Sequence, residues 1–418
     1  MSRAGDAFDL CAEPGLAALE TARATAAALA PSPVGVEELP FAALRGRVTS
    51  SAVISPAPLP PFDHSAMDGY AVADPGRLRH RVRGRLTAGG RGAPEPLAPG
   101  DAARIFTGAP LPPGARAVVM QERVLREGDD IVLTAALEDG ANVRRRGEDV
   151  AAGDALVPEG VTLDARHLAI LAASGVERAV VRRKVVVGLL STGDELLEHG
   201  RPLAPGRIHD ANRPMLAAIL DRPAYEVVDL GIAPDDPAAL ARLLAEAGAR
   251  CDALVTSGAT SVGDEDHLAA AVAAAGGSLG LAKVALKPGK PIVVGRVGRA
   301  VLVGLPGNPF AALVGHMLIG RVALERLAGL DVKPLAPLTA VAAFEQRGPG
   351  GRTEFAPARL AGRNPSGLPL AEKLGRGGSA RLAPLIAADG LAVIPAGREE
   401  VRRGDIVGFL PFEAALEV

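Results

Sequence analysis

From Lys184 onward the chain alternates between apolar β-branched runs and alanine-rich amphipathic ones, which limits its possible folds more than any other feature. "KVVVGLL" (184–190) is continuous in Val and Leu, as in a strand buried on both faces. "EVVDLGI" (226–232), "CDALVTS" (251–257), "PIVVG" (291–295) and "AVLVGL" (300–305) read the same way. Between them, "RPMLAAILD" (213–221) and "DDPAALARLLAEAGA" (235–249) read as helices, the second with Asp caps and Pro237 in its first turn. Further helices follow Asp266 and start at Phe310. Strands alternating with helices predict a parallel sheet covered by helices, an α/β domain over 184–331.

The flanks have a different texture. Residues 8–30 are rich in Ala, Leu and Glu and predict a helix that stops at Pro31. Short alternating runs such as "RIFTG", "RAVVMQ" and "DIVLTAAL" lie between Gly, Pro and Asp turns and predict a small β-domain over 51–140. "DARHLAILAASGV" (164–176) predicts a helix capped by Asp164 and closed by Gly175. Residues 1–50 and 141–183 are assigned to an N-terminal helical, linking domain. After Lys333, short strands such as "GDIVGFLPF" predict a C-terminal β-module over 332–418. The fold class expected is therefore multidomain α/β plus β, elongated. With aromatics at 3% and no Trp, its cores are built from Ala, Val and Leu.

Bulk properties narrow the function classes. A net charge of −2 and scarce aromatics argue against nucleic-acid binding, which needs basic surface and stacking rings. Cys11 and Cys251 fit no metal-ligand spacing and no disulfide framework. The acidic start "MSRAGDAFDL" lacks the apolar run of a targeting segment. "FAALVGHMLIGRVALERLAG" (310–329) is apolar but carries His316, Arg321, Glu325 and Arg326, so it reads as a buried helix rather than a membrane span. These features predict a soluble cytoplasmic protein that binds neither membrane nor nucleic acid.

Ligands of wound α/β sheets bind beyond the C-terminal ends of the strands. Three loops leave such ends here: "STGDEL" (191–196), "TSGATSVGDED" (256–266) and "GLPGNP" (304–309). Each runs toward a helix start, where free N–H groups favour an anion. Beside them "KPGKP" (287–291) places Lys287 and Lys290 in restricted backbone. Each feature has an ordinary alternative: carboxylates cap helices, lysines are solvated, and Gly-Asn-Pro turns. Together they supply lysines and N–H groups for a polyphosphate and Asp/Glu oxygens for Mg²⁺. No Walker sequence and no strand-following G-x-G-x-x-G occurs. The triplet Arg144, Arg145, Arg146 reads either as a solvated face or as a phosphate clamp. His64, His209 and His267 lack zinc spacing and are read as non-ligands.

Seven motifs occur in order: "FDHSAMDGYAV", "TGAPLPPGARAVVMQE", "GEDVAAGD", "STGDEL", "TSGATSVGDED", "KPGKP" and "GLPGNP". Over essentially its whole length the chain resembles the molybdopterin molybdenumtransferases, or molybdenum insertases, related to the E domain of gephyrin. The resemblance implies four domains per subunit and an elongated homodimer. Each active site would lie between the α/β domain of one subunit and the N-terminal β-domain of the other. It implies binding of adenylylated molybdopterin, delivery of molybdate to the dithiolene sulfurs, and cleavage of the pyrophosphate bond with Mg²⁺ assisting. AMP and molybdenum cofactor would be released.

By motif position, catalytic roles fall on Asp68, Thr107, Asp149, Glu195 and Asp266. Substrate binding falls on Ser257, Gly258, Ser261, Gly263, Lys287, Lys290, Pro306, Gly307, Asn308 and Pro309, and metal binding on Glu195, Asp266 and Asp235. Partners implied are a molybdopterin adenylyltransferase and recipient molybdoenzymes or their chaperones. Several positions depart from the family pattern. Ala259-Thr260 stands for Gly-Val, Phe310-Ala311 for Val-Ser, His267 for Tyr, His64 for Asn, and Arg116 for a residue more often acidic. A scaffold that binds and hands on the cofactor has no need of Asp149, Glu195 and Asp266. The sister adenylyltransferase shares the α/β domain, but the "DGYA" domain and C-terminal module argue against it.

Overall fold

The computed structural model describes residues 15–30, 32–90, 95–258, 267–281, 283–375 and 377–413 of the 418. Helix α1 spans Leu19–Leu29, shorter than the 8–30 run suggests. Within the described part, the stretch before Leu19 is extended rather than helical: Ala17 forms an isolated bridge to Val284. The first large sheet contains β1 (Gly69–Val72), β2 (Arg79–Leu86), β3 (Asp101–Ile105), β4 (Ala117–Met120), β5 (Val124–Glu127) and β6 (Asp130–Leu133). Its order is β4-β1-β3-β2-β6-β5. A smaller unit pairs Val36–Pro40 with Arg178–Arg182 and carries α2 (Ala165–Ala173). Asp164 caps α2 by accepting from the Arg166 and His167 amides, while the His167 ring accepts from the Asp164 amide.

The α/β sheet contains β7 (Val185–Thr192), β8 (Tyr225–Ala233), β9 (Ala253–Ser257), β10 (Ser278–Leu281), β12 (Val293–Val297) and β13 (Ala300–Leu305), in the order β8-β7-β9-β13-β12-β10. The short strand β11 (Leu286–Lys287) belongs to another sheet, taken up below. The first four strands run parallel, as the alternation predicts. The far edge is antiparallel, because only Gly298 and Arg299 join β12 to β13 and a parallel crossover needs a dozen residues or more.

Alternate residues of each strand bury on opposite faces. Val185, Val187, Leu189, Ala253 and Val255 join one core with α1 (Leu19, Ala22, Ala26), α3 (Asn212–Leu220) and the helix from Pro309. Leu190 and Leu254 join the other core, with α4 (Pro237–Arg250) and α5 (His267–Ala274). Each fully buried Val or Leu side chain contributes about 1.5–3 kcal/mol, so the double-faced pattern carries most of this layer, with Tyr225, Phe310 and Phe355 as its buried aromatics. The helix from Pro309 is α6 (Pro309–Gly315), passing through a π-helical segment, His316–Gly320, into α7 (Arg321–Leu327). His316 is fully enclosed, and burial together with Arg222 and Arg321 lowers its pKa to about 4, so it sits in the core as a neutral ring.

The C-terminal module is a closed sheet of β14 (Leu338–Ala342), β15 (Thr353–Arg363), β16 (Pro369–Lys373), β17 (Gly390–Ile394) and β18 (Ile406–Pro411). The order β15-β16-β14-β18-β17 returns to β15, which removes free edges. Strand β11 adds to β15 in parallel, with Lys287 opposite Glu354. A segment of the α/β region is thereby built into the wall of the barrel.

Candidate functional site

At the C-terminal edge of the α/β sheet, three loops are tied to one another by short bonds. Ser257 ends β9 and Leu305 ends β13, and the Gly258 amide donates to the Leu305 carbonyl at 3.1 Å. Asn212, buried at the start of α3, donates from one Nδ2 to both Ser257 Oγ (2.6 Å) and the Gly307 carbonyl (2.7 Å). Its own backbone is fixed by Asp210, whose Oδ1 accepts from the Asn212 and Arg213 amides at 3.0 and 3.1 Å. Thr192, at the end of β7, donates to the Ser257 carbonyl at 3.4 Å. Gly258 has φ +97°, and an added Cβ would overlap the Thr192 carbonyl and lie 2.6 Å from its hydroxyl. The backbone needs glycine there on both counts.

Asn212 thus couples a helix start to two site loops, a role its place in "DANR" did not disclose. Asn212→Ala is expected to lower unfolding free energy by about 1–3 kcal/mol, since it removes the donor to the Gly307 carbonyl and leaves the Ser257 hydroxyl only its 3.4 Å bond to the Pro306 carbonyl. Chemical denaturation measures this; a loss below about 0.5 kcal/mol would remove Asn212 as the tie.

The carboxylates gather at the same edge. Asp194 Oδ1 accepts from the Asp235 amide and Asp235 Oδ2 from the Asp194 amide, at 3.3 and 3.2 Å, joining the β7 and β8 loops. Glu195 is exposed and folds over Gly193, where an added Cβ would lie 2.6 Å from Oε2. Glu195 and Asp235 offer hard oxygen donors of the kind Mg²⁺ takes. Asp266, Ser261 and Gly263 lie outside the described residues, as do Ala259 and Thr260. Among the described residues no group of three His, Cys, Asp or Glu side chains is arranged around a common point for a metal.

The lysines face a cavity of about 530 Å³ between the α/β sheet and the barrel. Its wall carries five cations, Lys287, Lys290, Arg352, Lys373 and Arg381, against one carboxylate, Glu354. That carboxylate is buried and shared: Lys287 Nζ lies 3.0 Å from it and Lys373 Nζ 3.5 Å, and Gln346 Nε2 donates to it at 3.2 Å. Lys290 has no side-chain partner among the described residues. Pro306, Asn308, Phe310 and Ala311 line the opposite wall. Among the described lining residues cations outnumber carboxylates, which makes the cavity positive and favours an oxyanion.

The barrel's share of this cavity had no signal in the α/β motifs. Arg352, Lys373, Ser379 and Arg381 arrive because β11 pairs with β15. The only sequence hint was a cluster of basic residues after a strand-rich stretch. The barrel also corrects one expectation. The start of α6 is not left open, for the Phe310 amide donates to the Ser379 carbonyl at 3.1 Å and Asn308 Nδ2 to Ser379 Oγ at 2.9 Å. Pro306, Gly307, Asn308 and Pro309 form a loop latched to the barrel, rather than a free helix N-terminus.

The N-terminal motifs lie on other elements. Asp68, just before β1, accepts at one oxygen from both the amide and the hydroxyl of Thr107, each at 2.8 Å. These bonds hold the Asp68 carboxyl below its ordinary pKa, so it remains ionised throughout the neutral range. Asp149 is exposed on a separate turn, its amide bonded to the Leu59 carbonyl. In the arginine triplet, Arg144 pairs with Glu148 and Arg145 with Asp63 at 2.8 Å. Those two guanidiniums are committed to internal partners, which favours the structural reading of the triplet.

Comparison with known proteins gives a concordant result. Residues 17–175 match the model of the MoeA N-terminal region (domains I and II), 188–326 that of a probable molybdopterin-binding domain, and 339–412 that of the MoeA C-terminal region (domain IV). A molybdopterin molybdenumtransferase from Haemophilus influenzae is 35% identical over 81% of this chain and 84% of its own. Molybdopterin molybdenumtransferase 2 of Mycobacterium tuberculosis is also 35% identical, over 76% of this chain and 81% of its own. The crystal structure of a molybdopterin biosynthesis MoeA protein from Pyrococcus horikoshii superposes with a TM-score of 0.79 at 27% identity, covering 95% of this chain and 100% of that one. Among the described residues no helix is long and apolar enough to cross a membrane.

Proposed function

Because the chain belongs to the molybdopterin molybdenumtransferase family, we propose that it inserts molybdate into adenylylated molybdopterin, cleaves the pyrophosphate bond, and releases AMP and molybdenum cofactor. The observation that carries this reading is the cavity with five cations against one buried carboxylate. Molybdate is a tetrahedral dianion, and Lys290, which has no partner among the described residues, is available to meet it. Lys287 and Lys373 share Glu354 and can turn part of their hydrogen bonding to the incoming anion. Phe310, Phe355 and the flanking prolines line the cavity with apolar surface, which lowers the dielectric around each contact.

The pyrophosphate belongs at the adjoining loops, where Gly307 exposes backbone and Asn212 fixes its spacing from Ser257. Glu195, Asp235 and Asp266 would hold Mg²⁺, which neutralises phosphoryl charge and polarises a phosphoryl oxygen. Asp68, held ionised by Thr107, would accept a hydrogen bond from a water or hydroxyl at the phosphoryl group. Asp68, Thr107 and Asp149 stand on elements other than the α/β sheet, so the proposal includes a homodimer in which a second copy brings its N-terminal β-sheet to the site. A cytoplasmic setting follows, with a molybdopterin adenylyltransferase supplying the substrate and molybdoenzymes or their chaperones taking the product.

Purified protein given adenylylated molybdopterin, molybdate and Mg²⁺ is expected to release AMP and yield cofactor that activates an apo-molybdoenzyme. A folded protein that binds molybdopterin tightly but releases no AMP would assign it a carrier role instead.

A further inference from the structure

Strand β2 carries arginines at every second position, Arg79, Arg81, Arg83 and Arg85, with a bulge between Val82 and Arg85 that turns Arg85 to the face opposite Arg81. Three of them meet carboxylates: Arg79 with Glu127 and Asp130, Arg81 with Asp129 at 3.6 Å, and Arg83 with Asp101 at 2.9 Å. The pattern breaks at Arg85, which has no carboxylate partner among the described residues. It stands instead directly across from another cation, because β2 and β3 pair with Arg85 opposite Arg104. Like charges in that cross-strand relation are destabilising.

Phe106 holds the two guanidiniums in place, their central carbons lying 4.8 and 4.6 Å from its ring centroid. Arg104 is fixed further by donating to the Gly69 carbonyl at 2.8 Å and to Gln121 Oε1 at 2.5 Å. The charges of Asp68 and Glu122 reach Arg104 and offset it. Arg85 is left as an exposed, oriented, uncompensated fork. The next residue after Phe106 is Thr107, so this fork sits beside the Asp68–Thr107 pair.

We infer that Arg85, stacked on Phe106 beside Arg104, is a substrate-binding residue that grips a phosphoryl group of adenylylated molybdopterin next to Asp68–Thr107. The inference rests on the proposed function for the identity of the substrate. Its physical basis is the match between a planar guanidinium and two phosphoryl oxygens, which a point charge does not reproduce. The anion also relieves the repulsion between the paired arginines.

The test compares wild type with Arg85→Ala, Arg85→Lys and, as a control on the same strand but its other face, Arg81→Ala. AMP release is measured against adenylylated molybdopterin at saturating molybdate. Arg85→Ala is expected to raise KM about tenfold or more with kcat within about threefold, the loss of one charge-assisted contact. Arg85→Lys recovers part of it, and Arg81→Ala stays within twofold. Calorimetric titration with ADP reads the same contact without turnover, and Arg85→Ala is expected to bind at least fivefold more weakly. A KM and an ADP affinity both within twofold of wild type would overturn the inference. If wild type releases no AMP, the proposed activity fails, and the ADP titration alone decides whether Arg85 binds a phosphoryl group.

Discussion

Replacing Lys290 with alanine is expected to lower kcat/KM for molybdate by about ten- to a hundredfold while leaving thermal stability almost unchanged. A hydrogen bond to a charged partner contributes about 1.5–3 kcal/mol when water is excluded, which corresponds to that range. The side chain has no partner among the described residues, so its removal strands none of them. Lys287→Ala should behave differently although it lies three residues away. Glu354 would keep only Lys373 and Gln346, and a buried carboxylate that loses a cation at 3.0 Å lowers stability as well as activity. The pair of variants therefore separates a ligand-binding cation from one that also braces the barrel. Steady-state kinetics in molybdate and a melting curve for each variant make the comparison. Equal melting losses for both, or an unaltered molybdate dependence in Lys290→Ala, would end the assignment of Lys290 to the oxyanion.

That contrast was not legible in "KPGKP", where the two lysines look equivalent. Periodicity reads which residues a strand buries, and it placed the α/β layer well, because Val, Leu and Ala alternate between two cores there. Loop positions followed from strand ends for the same reason. What pattern alone does not reveal is pairing between segments far apart in sequence. Strand β11 has only two residues and leaves no periodic trace, yet its pairing with β15 brings Glu354 to Lys287 and half of the cavity with it. The antiparallel edge of the α/β sheet is similar: it depends on the two-residue turn at Gly298-Arg299, not on the composition of the strands. The Asp68–Thr107 bond joins positions 39 apart, each polar in a turn-rich stretch. Sequence motifs marked both residues through resemblance, but only the folded sheet shows one carboxyl oxygen taking both Thr107 donors.

Gly258→Ala is expected to reduce turnover more than a hundredfold and to destabilise the α/β domain by about 2–6 kcal/mol. Holding a non-glycine residue at φ +97° costs about 1–3 kcal/mol. Overlap of the new methyl with the Thr192 carbonyl and hydroxyl adds about 1–3 kcal/mol of overpacking. The Thr192 oxygens belong to the loop that carries Glu195, and Gly258 itself bonds to Leu305 at the start of the "GLPGNP" turn. Relief of the clash must therefore separate loops that Asn212 and Ser257 hold together, and the spacing of phosphate-facing backbone changes with them. Gly307→Ala is the matched control. An added Cβ there meets only Gly258 Cα, at 3.8 Å, an ordinary contact at an exposed position without a left-handed φ. It should keep most activity and nearly all stability. Retention of more than half the wild-type AMP release in Gly258→Ala, or equal damage in both variants, would show that close approach of the three loops is not what the chemistry needs.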